Sequence, residues 1–105
     1  MPRAEICCRL GGYFADRGDY RKAVFWYEQA THAVRPADPM VVLNEAAWTW
    51  MPHLQLCVCY DRLGNRAKAK EHNDIALAFH PTHPSMLYND QYFKDLEKES
   101  VLEEA

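Results

Sequence analysis

The chain has 105 residues, a formal net charge of −3 and an apolar fraction of 49%. This length leaves no room for the nucleotide-binding and substrate halves of a two-domain enzyme. Three Trp, six Tyr and four Phe argue against disorder, because they can bury enough surface to offset chain entropy. We therefore expect one small globular domain.

The charged residues are of mixed sign, as in the run from Asp16 to Lys22. Nucleic-acid binding needs a basic stripe, so we expect no nucleic-acid partner. No apolar run approaches the ~20 residues of a spanning helix, and no signal-peptide core follows the first five residues. These features predict a cytoplasmic protein without a membrane span, in which the four cysteines are reduced thiols.

Two helices are predicted in the first third of the chain. Apolar side chains recur at spacings of three and four from Ile6 to Phe14, which is the helical period. Gly18 suits the left-handed residue that ends a helix, and Asp19 can cap the next one. We expect Pro36 and Pro39 to stop the second helix.

A helical insert is predicted over residues 37–48. Asp38 followed by Pro39 is a helix start. Val41 and Trp48 are too apolar to remain in water, so the segment is not a flexible linker. It forms either its own short helix or an extension of the next one.

A second helix pair is predicted from Thr49 to Gly64 and from Asn65 to Phe79. With Thr49 as the cap, Pro52 is tolerated in the first turn, where amides lack an intrahelical partner. Pro81 follows the pair.

One terminal helix is predicted over about residues 84–100. We expect Leu87, Tyr88, Phe93 and Leu96 to cover the last apolar face of the domain.

The chain contains an internal repeat with an offset of 46 residues, set by aligning Gly18 with Gly64. Small, branched and aromatic residues coincide at this offset. The matched pairs are Leu10 with Leu56, Phe14 with Tyr60, Ala23 with Ala69 and Ala30 with Ala76. Each copy is therefore expected to be a helix, a glycine turn and a second helix.

These landmarks resemble the tetratricopeptide repeat (TPR), whose signature is W-x2-L-G-x2-Y, then A-x3-F, then P. The first copy reads Cys7-x2-Leu10-Gly11-x2-Phe14, Ala23-x3-Tyr27 and Pro36, and the second reads His53-x2-Leu56-Cys57-x2-Tyr60, Ala69-x3-Asn73 and Pro81. Both copies lack the opening Trp, and Asn73 replaces an aromatic. We expect the paired helices to cross where Gly11 or Cys57 faces Ala23 or Ala69.

The resemblance implies an all-α domain of two degenerate TPR-like repeats, over about residues 4–36 and 49–81, with the insert between them and a C-terminal capping helix. It also implies a groove for a protein or peptide partner, lined by the first helix of each repeat. The implied groove residues are Glu5, Cys8, Arg9, Gly12, Met51, Leu54, Gln55, Val58 and Asp61. An apolar groove of this kind suits a helix or an extended segment.

No catalytic motif is present: there is no glycine-rich phosphate loop, no G-x-S-x-G and no paired carboxylate motif. We therefore expect a non-enzyme that needs no cofactor and no metal. The alternative is a small metal- or thiol-dependent protein that uses His53 and Cys57, with His72 or Cys7 approaching from neighbouring helices. A further alternative is a scaffold that associates with itself through Trp48 and Trp50.

The run from Asn44 to Gly64 is similar to the repeat region that follows the catalytic domain of bacterial family-two glycosyltransferases. In those proteins a Trp and Glu segment precedes an apolar helix that ends in Cys-Tyr-x-x-Leu-Gly. The segment from His80 to Phe93 is similar to their continuation. The resemblance implies an accessory region, either a fragment or a free-standing relative, that positions an acceptor or partner and transfers no sugar itself.

Overall fold

The computed structural model describes residues 3–38 and 43–104, with side chains up to residue 99. Its secondary structure in these ranges is entirely helical, which confirms the all-α prediction. The helices are α1 (Ala4–Asp16), α2 (Tyr20–His32), α3 (Glu45–Trp48), α4 (Met51–Arg62), α5 (Arg66–Phe79) and α6 (Pro84–Glu104).

The turns of the α1–α2 and α4–α5 hairpins have the same backbone geometry. Gly18 and Gly64 adopt positive φ angles of 75° and 84°, which are unfavourable for residues other than glycine. In each turn the amide after the glycine donates to a carbonyl of the preceding helix, at 2.9 Å from Asp19 and 2.8 Å from Asn65. The glycines therefore end α1 and α4 as predicted.

The second helix of each hairpin is capped in the same way. The side chain of Asp19 accepts from the backbone amide of Lys22 at 3.2 Å, and Asn65 accepts from Lys68 at 3.2 Å. Each cap satisfies an amide that has no partner within its helix. The offset of 46 residues is thus preserved in hydrogen bonding as well as in sequence.

Small residues of the repeat are buried in the core and allow the helices to pack closely. Ala23 and Ala69 are fully buried in the second helices of the two hairpins. Gly11 admits the ring of Tyr27, because a Cβ atom at Gly11 would lie only 2.7 Å from that ring. Gly11 therefore makes a close approach to Tyr27, which lies one turn beyond Ala23 on α2. Leu56 of α4 packs into the same cluster and joins the two hairpins.

The insert is its own short helix in the part that the structure describes. The expected helix start at Asp38–Pro39 and the apolar residues 40–42 lie wholly or partly outside the described residues. The four-residue helix α3 is followed by a break, and Trp50 rather than Thr49 is the N-cap of α4. Pro52 lies in the first turn of α4, where its missing amide removes no helical hydrogen bond.

The terminal helix α6 reaches Glu104, beyond the expected end near residue 100. Met86 and Phe93 of α6 are buried against α4 and α5. The expectation that Leu87 and Tyr88 cover the core is wrong, since they are 48% and 74% exposed. Their helical phase points them away from the face that carries Met86 and Phe93.

Candidate functional site

A cleft of about 550 Å³ separates α1 from α3 and α4. Four of the predicted groove residues line it: Glu5, Cys8, Arg9 and Met51. Gly12 does not line this cleft, because it faces the hydroxyl of Tyr27 on α2. We refer to this space as the α1–α4 cleft.

The carboxylate of Glu5 holds one wall of the α1–α4 cleft together. It accepts hydrogen bonds from Trp48 Nε1, from Arg3 at 2.9 Å and from the amide of Asn44 at 3.4 Å. Desolvation raises the pKa of Glu5, but the hydrogen bonds from Trp48 and Arg3 outweigh it and the pKa lies below its usual value. The Glu5 side chain is therefore a charged carboxylate whose hydrogen bonds stabilise the fold.

Arg9 is the cation that remains available in the α1–α4 cleft. Its side chain is exposed, and within the described ranges it makes no ion pair. Ile6 and Met51 supply apolar surface beside it. This wall of the cleft can therefore receive an apolar side chain next to a negative charge.

Two further clefts lie between α4 and α6. One has a volume of about 470 Å³ and includes Leu54, Gln55 and Val58 in its lining. The other, of about 240 Å³, includes Val58 and Asp61. The predicted groove residues of α4 therefore all line clefts. Met51 lines the cleft toward α1, whereas the other four line the clefts toward α6.

Sequence analysis missed the contribution of α6 to these clefts. Tyr88 and Asn89 line both of them, and Tyr92 lines the smaller one, where its hydroxyl lies 3.4 Å from a carboxylate oxygen of Asp61. The signal in the sequence was the spacing of four between Tyr88 and Tyr92, which places both rings on one helical face. Tyr88 was instead assigned to the covering of the core, and Tyr92 was given no role.

The tryptophans proposed for self-association have partners within the chain. Trp48 donates to Glu5 and packs against the cluster that contains Cys7 and Ala47. Trp50 packs edge-on against His80, with ring centroids 5.6 Å apart, and lies 4.9 Å from the ring of His83. Both indoles are partly buried. They therefore stabilise the fold around α3 and α4.

The cysteines are free thiols in nonreactive surroundings. Burial, together with the negative charges of Asp61 and Asp74, raises the pKa of Cys57 to about 12. Burial raises the pKa of Cys59 to about 11. A thiol with a raised pKa is a poor nucleophile and a poor metal ligand at neutral pH.

His53 and Cys57 face different neighbours. Cys57 packs with Ala69 and Phe93, whereas His53 Nδ1 lies 2.9 Å from His72 Nδ1. Among the residues that the structure describes, no group of three or more His, Cys, Asp or Glu side chains could hold a metal ion. The structure therefore brings His53 to His72, as the sequence suggested, but without a metal-binding set around them.

A polar network joins the two hairpins, and no sequence motif predicted it. His72 Nε2 lies 3.3 Å from Oε1 of Glu28, and the hydroxyl of Tyr60 donates to the same oxygen at 3.0 Å. The rings of Tyr60 and His72 are stacked, with 6° between their planes. We call Glu28, His53, Tyr60 and His72 the imidazole network.

No family model, curated protein or solved structure matches this chain. None of the described helices is long and apolar enough to cross a membrane.

Proposed function

We propose that the chain is a non-catalytic TPR-like module that binds a protein or peptide segment along α4. One observation carries this proposal: a single face of α4 lines all three clefts. The residues on that face are Met51, Leu54, Gln55, Val58, Asp61 and Arg62. They recur at spacings of three and four, so they form one continuous stripe along the helix.

The chemistry of the stripe fits a peptide better than a small polar molecule. Leu54 and Val58 are apolar, and Gln55 and Asn89 provide amide groups that can bond to a peptide backbone. The ring of Tyr88 is largely exposed beside them and offers a flat apolar surface. Alternating apolar and hydrogen-bonding positions are what a docked helix or extended segment requires.

The repeated hairpins support the TPR-like part of the proposal. The two turns share their glycine conformation and their capping hydrogen bonds at an offset of 46 residues. In a stacked arrangement of such hairpins, the first helix of each pair lines the binding surface. Here α1 and α4 hold those positions, and α6 flanks α4 on its other side.

The proposal extends to the parent protein. The resemblance of residues 44–64 and 80–93 to the repeat region of family-two glycosyltransferases makes this chain an accessory region of such an enzyme. Its partner is then a protein surface, including a catalytic domain in the same polypeptide. The reading frame upstream of the codon for Met1 distinguishes the two forms of this part: an adjacent catalytic domain supports a fragment of such an enzyme, whereas an in-frame stop codon leaves only a free-standing relative.

Peptide selection tests the binding function directly. The wild-type chain is panned against a random peptide phage library, and affinities of enriched peptides are measured by fluorescence polarisation. We expect Val58→Asp to weaken binding at least tenfold, which corresponds to about 1.4 kcal/mol. A charge on the stripe would be desolvated by an apolar peptide side chain.

Leu63→Asp is the matched control, because Leu63 is 41% exposed and Val58 is 40% exposed. Leu63 lies at the C-terminal end of α4 and lines none of the three clefts. We expect its substitution to leave peptide affinity unchanged. Failure to enrich any peptide, or equal loss in both variants, would show that the stripe on α4 is not a binding surface.

A further inference from the structure

The imidazole network spans three helices from both hairpins. Glu28 belongs to α2, His53 and Tyr60 to α4, and His72 to α5. Around it, the contact between α2 and α4 is made by apolar side chains such as Tyr27 and Leu56. The network is therefore a polar junction at an otherwise apolar interface between the two hairpins.

At neutral pH one arrangement of protons satisfies every hydrogen bond in the network. The Glu28 carboxylate accepts from the hydroxyl of Tyr60 and from Nε2–H of His72. A neutral His72 then has a lone pair on Nδ1, which accepts from Nδ1–H of His53 at 2.9 Å. Burial and the bond to Glu28 raise the pKa of Tyr60 to about 12, so it remains a donor.

We propose that this network is a proton-operated latch between the two hairpins, closed while at most one of its two imidazoles is charged and released when both are. The geometry distinguishes the two protons. The first proton can bind His53 at Nε2 and leaves the Nδ1–Nδ1 bond intact. The second proton must occupy Nδ1 of His72, which places two N–H groups head to head across 2.9 Å.

The charged groups around the pair set the direction of the pH response. Burial, followed by the repulsion from His72, lowers the pKa of His53 to about 4, although Glu28 opposes this shift and His32 adds to it. Burial also lowers the pKa of His72 and outweighs the Glu28 and Glu71 carboxylates, while Lys68 lowers it further. The folded state therefore favours the neutral pair, and acid favours the separated hairpins.

Release of the latch would change the proposed binding surface. Because α1 belongs to one hairpin and α4 to the other, the width of the α1–α4 cleft depends on how α2 docks on α4. The latch does not depend on the binding proposal, however, because its test measures only protonation and docking.

The experiment follows three signals in the wild-type chain from pH 7.5 to pH 4. Imidazole NMR shifts count the protons bound, near-ultraviolet circular dichroism reports docking, and far-ultraviolet circular dichroism reports helix content. We expect docking to be lost at a higher pH than helix content. Since the docked state holds at most one of the two protons that the released state binds, the docked fraction relative to the released fraction should fall at least about tenfold per pH unit.

Two glutamine variants retain the bonds and remove the second charge. In His53→Gln the amide N–H₂ can donate to Nδ1 of His72, and in His72→Gln the amide can accept from His53 and donate to Glu28. We expect either variant to be docked at pH 7.5 and its docking signal to be flat down to the pH at which helix content is lost. His80→Gln is the control, because His80 contacts Trp50 and His83 instead, and it should follow the wild-type profile.

The wild-type titration decides the proposal even if a variant does not fold. Docking that persists after both imidazoles have bound protons would overturn the latch, as would docking and helix content that fall together. Equal pH dependence in the wild type and in a folded glutamine variant would overturn it too.

Discussion

A buried amide on α5 contributes to the docking of α6, which makes Asn73→Ala an informative perturbation. Asn73 is fully buried. Its Nδ2 donates to the carbonyl of Met86 at 3.0 Å, and its Oδ1 accepts from Nδ2 of Asn89 at 3.3 Å. Each bond contributes about 1 kcal/mol, and truncation removes packing as well. We expect the free energy of unfolding to fall by about 2–3 kcal/mol.

Urea unfolding followed by far-ultraviolet circular dichroism measures that loss, and hydrogen exchange locates it. The amides of α6 should lose protection first, because the broken bonds join α5 to α6. Asn89→Ala is the control, since it removes only one of the bonds at a half-buried position where water can replace the partner. A loss below about 0.5 kcal/mol for Asn73→Ala would refute the argument, because that is the scale of ordinary surface changes. A loss equal to that of Asn89→Ala would also refute it.

Three further predictions concern the turns, the thiols and pH. Gly18→Ala and Gly64→Ala should each cost about 1 kcal/mol of stability, since both glycines have positive φ and open surroundings; unequal urea midpoints would contradict this. Cys57 and Cys59 should react with iodoacetamide at pH 8 only after unfolding, because burial raises their pKa values; fast labelling of the native chain would contradict it. The free energy of unfolding should fall by roughly 1–2 kcal/mol between pH 6.5 and pH 4, allowing for solvent screening. In this window the unfolded chain protonates His53 while the folded chain, with a pKa of about 4, holds it neutral; a constant urea midpoint would contradict this.

The hairpins could be predicted because their determinants are local. Gly18 and Asp19 specify a turn and a cap within a few residues, and the same pattern recurs 46 residues later at Gly64 and Asn65. One terminal helix was likewise predicted where α6 lies. Its buried face could not be chosen in advance, because apolar residues lie on two faces of that helix. The structure buries the face that carries Met86 and Phe93, and on this face the side chain of Asn73 donates a hydrogen bond to the carbonyl of Met86.

The polar features of the molecule could not be predicted because their partners are far apart in sequence. Glu28 meets Tyr60 across 32 residues, and Glu5 meets Trp48 across 43. No periodic pattern relates such pairs, so only the packed fold reveals them. His53 was singled out as a metal ligand on its spacing from Cys57, with His72 or Cys7 approaching; the structure brings His72 to it, whereas Cys57 packs with Ala69 and Phe93.

The helix α4 takes part both in the contact between the hairpins and in the clefts. One face of α4 packs Leu56 and Cys59 against α2, and another presents Leu54 and Val58 to the clefts. A change in how α2 docks on α4 must therefore change the position of the stripe relative to α1. If the stripe binds a peptide, that peptide should bind more weakly when the imidazole network is doubly protonated, and by linkage its binding should lower the pH at which the hairpins separate. A peptide whose affinity is independent of pH across the docking transition would show that only α4 and α6, and not α1, form its site.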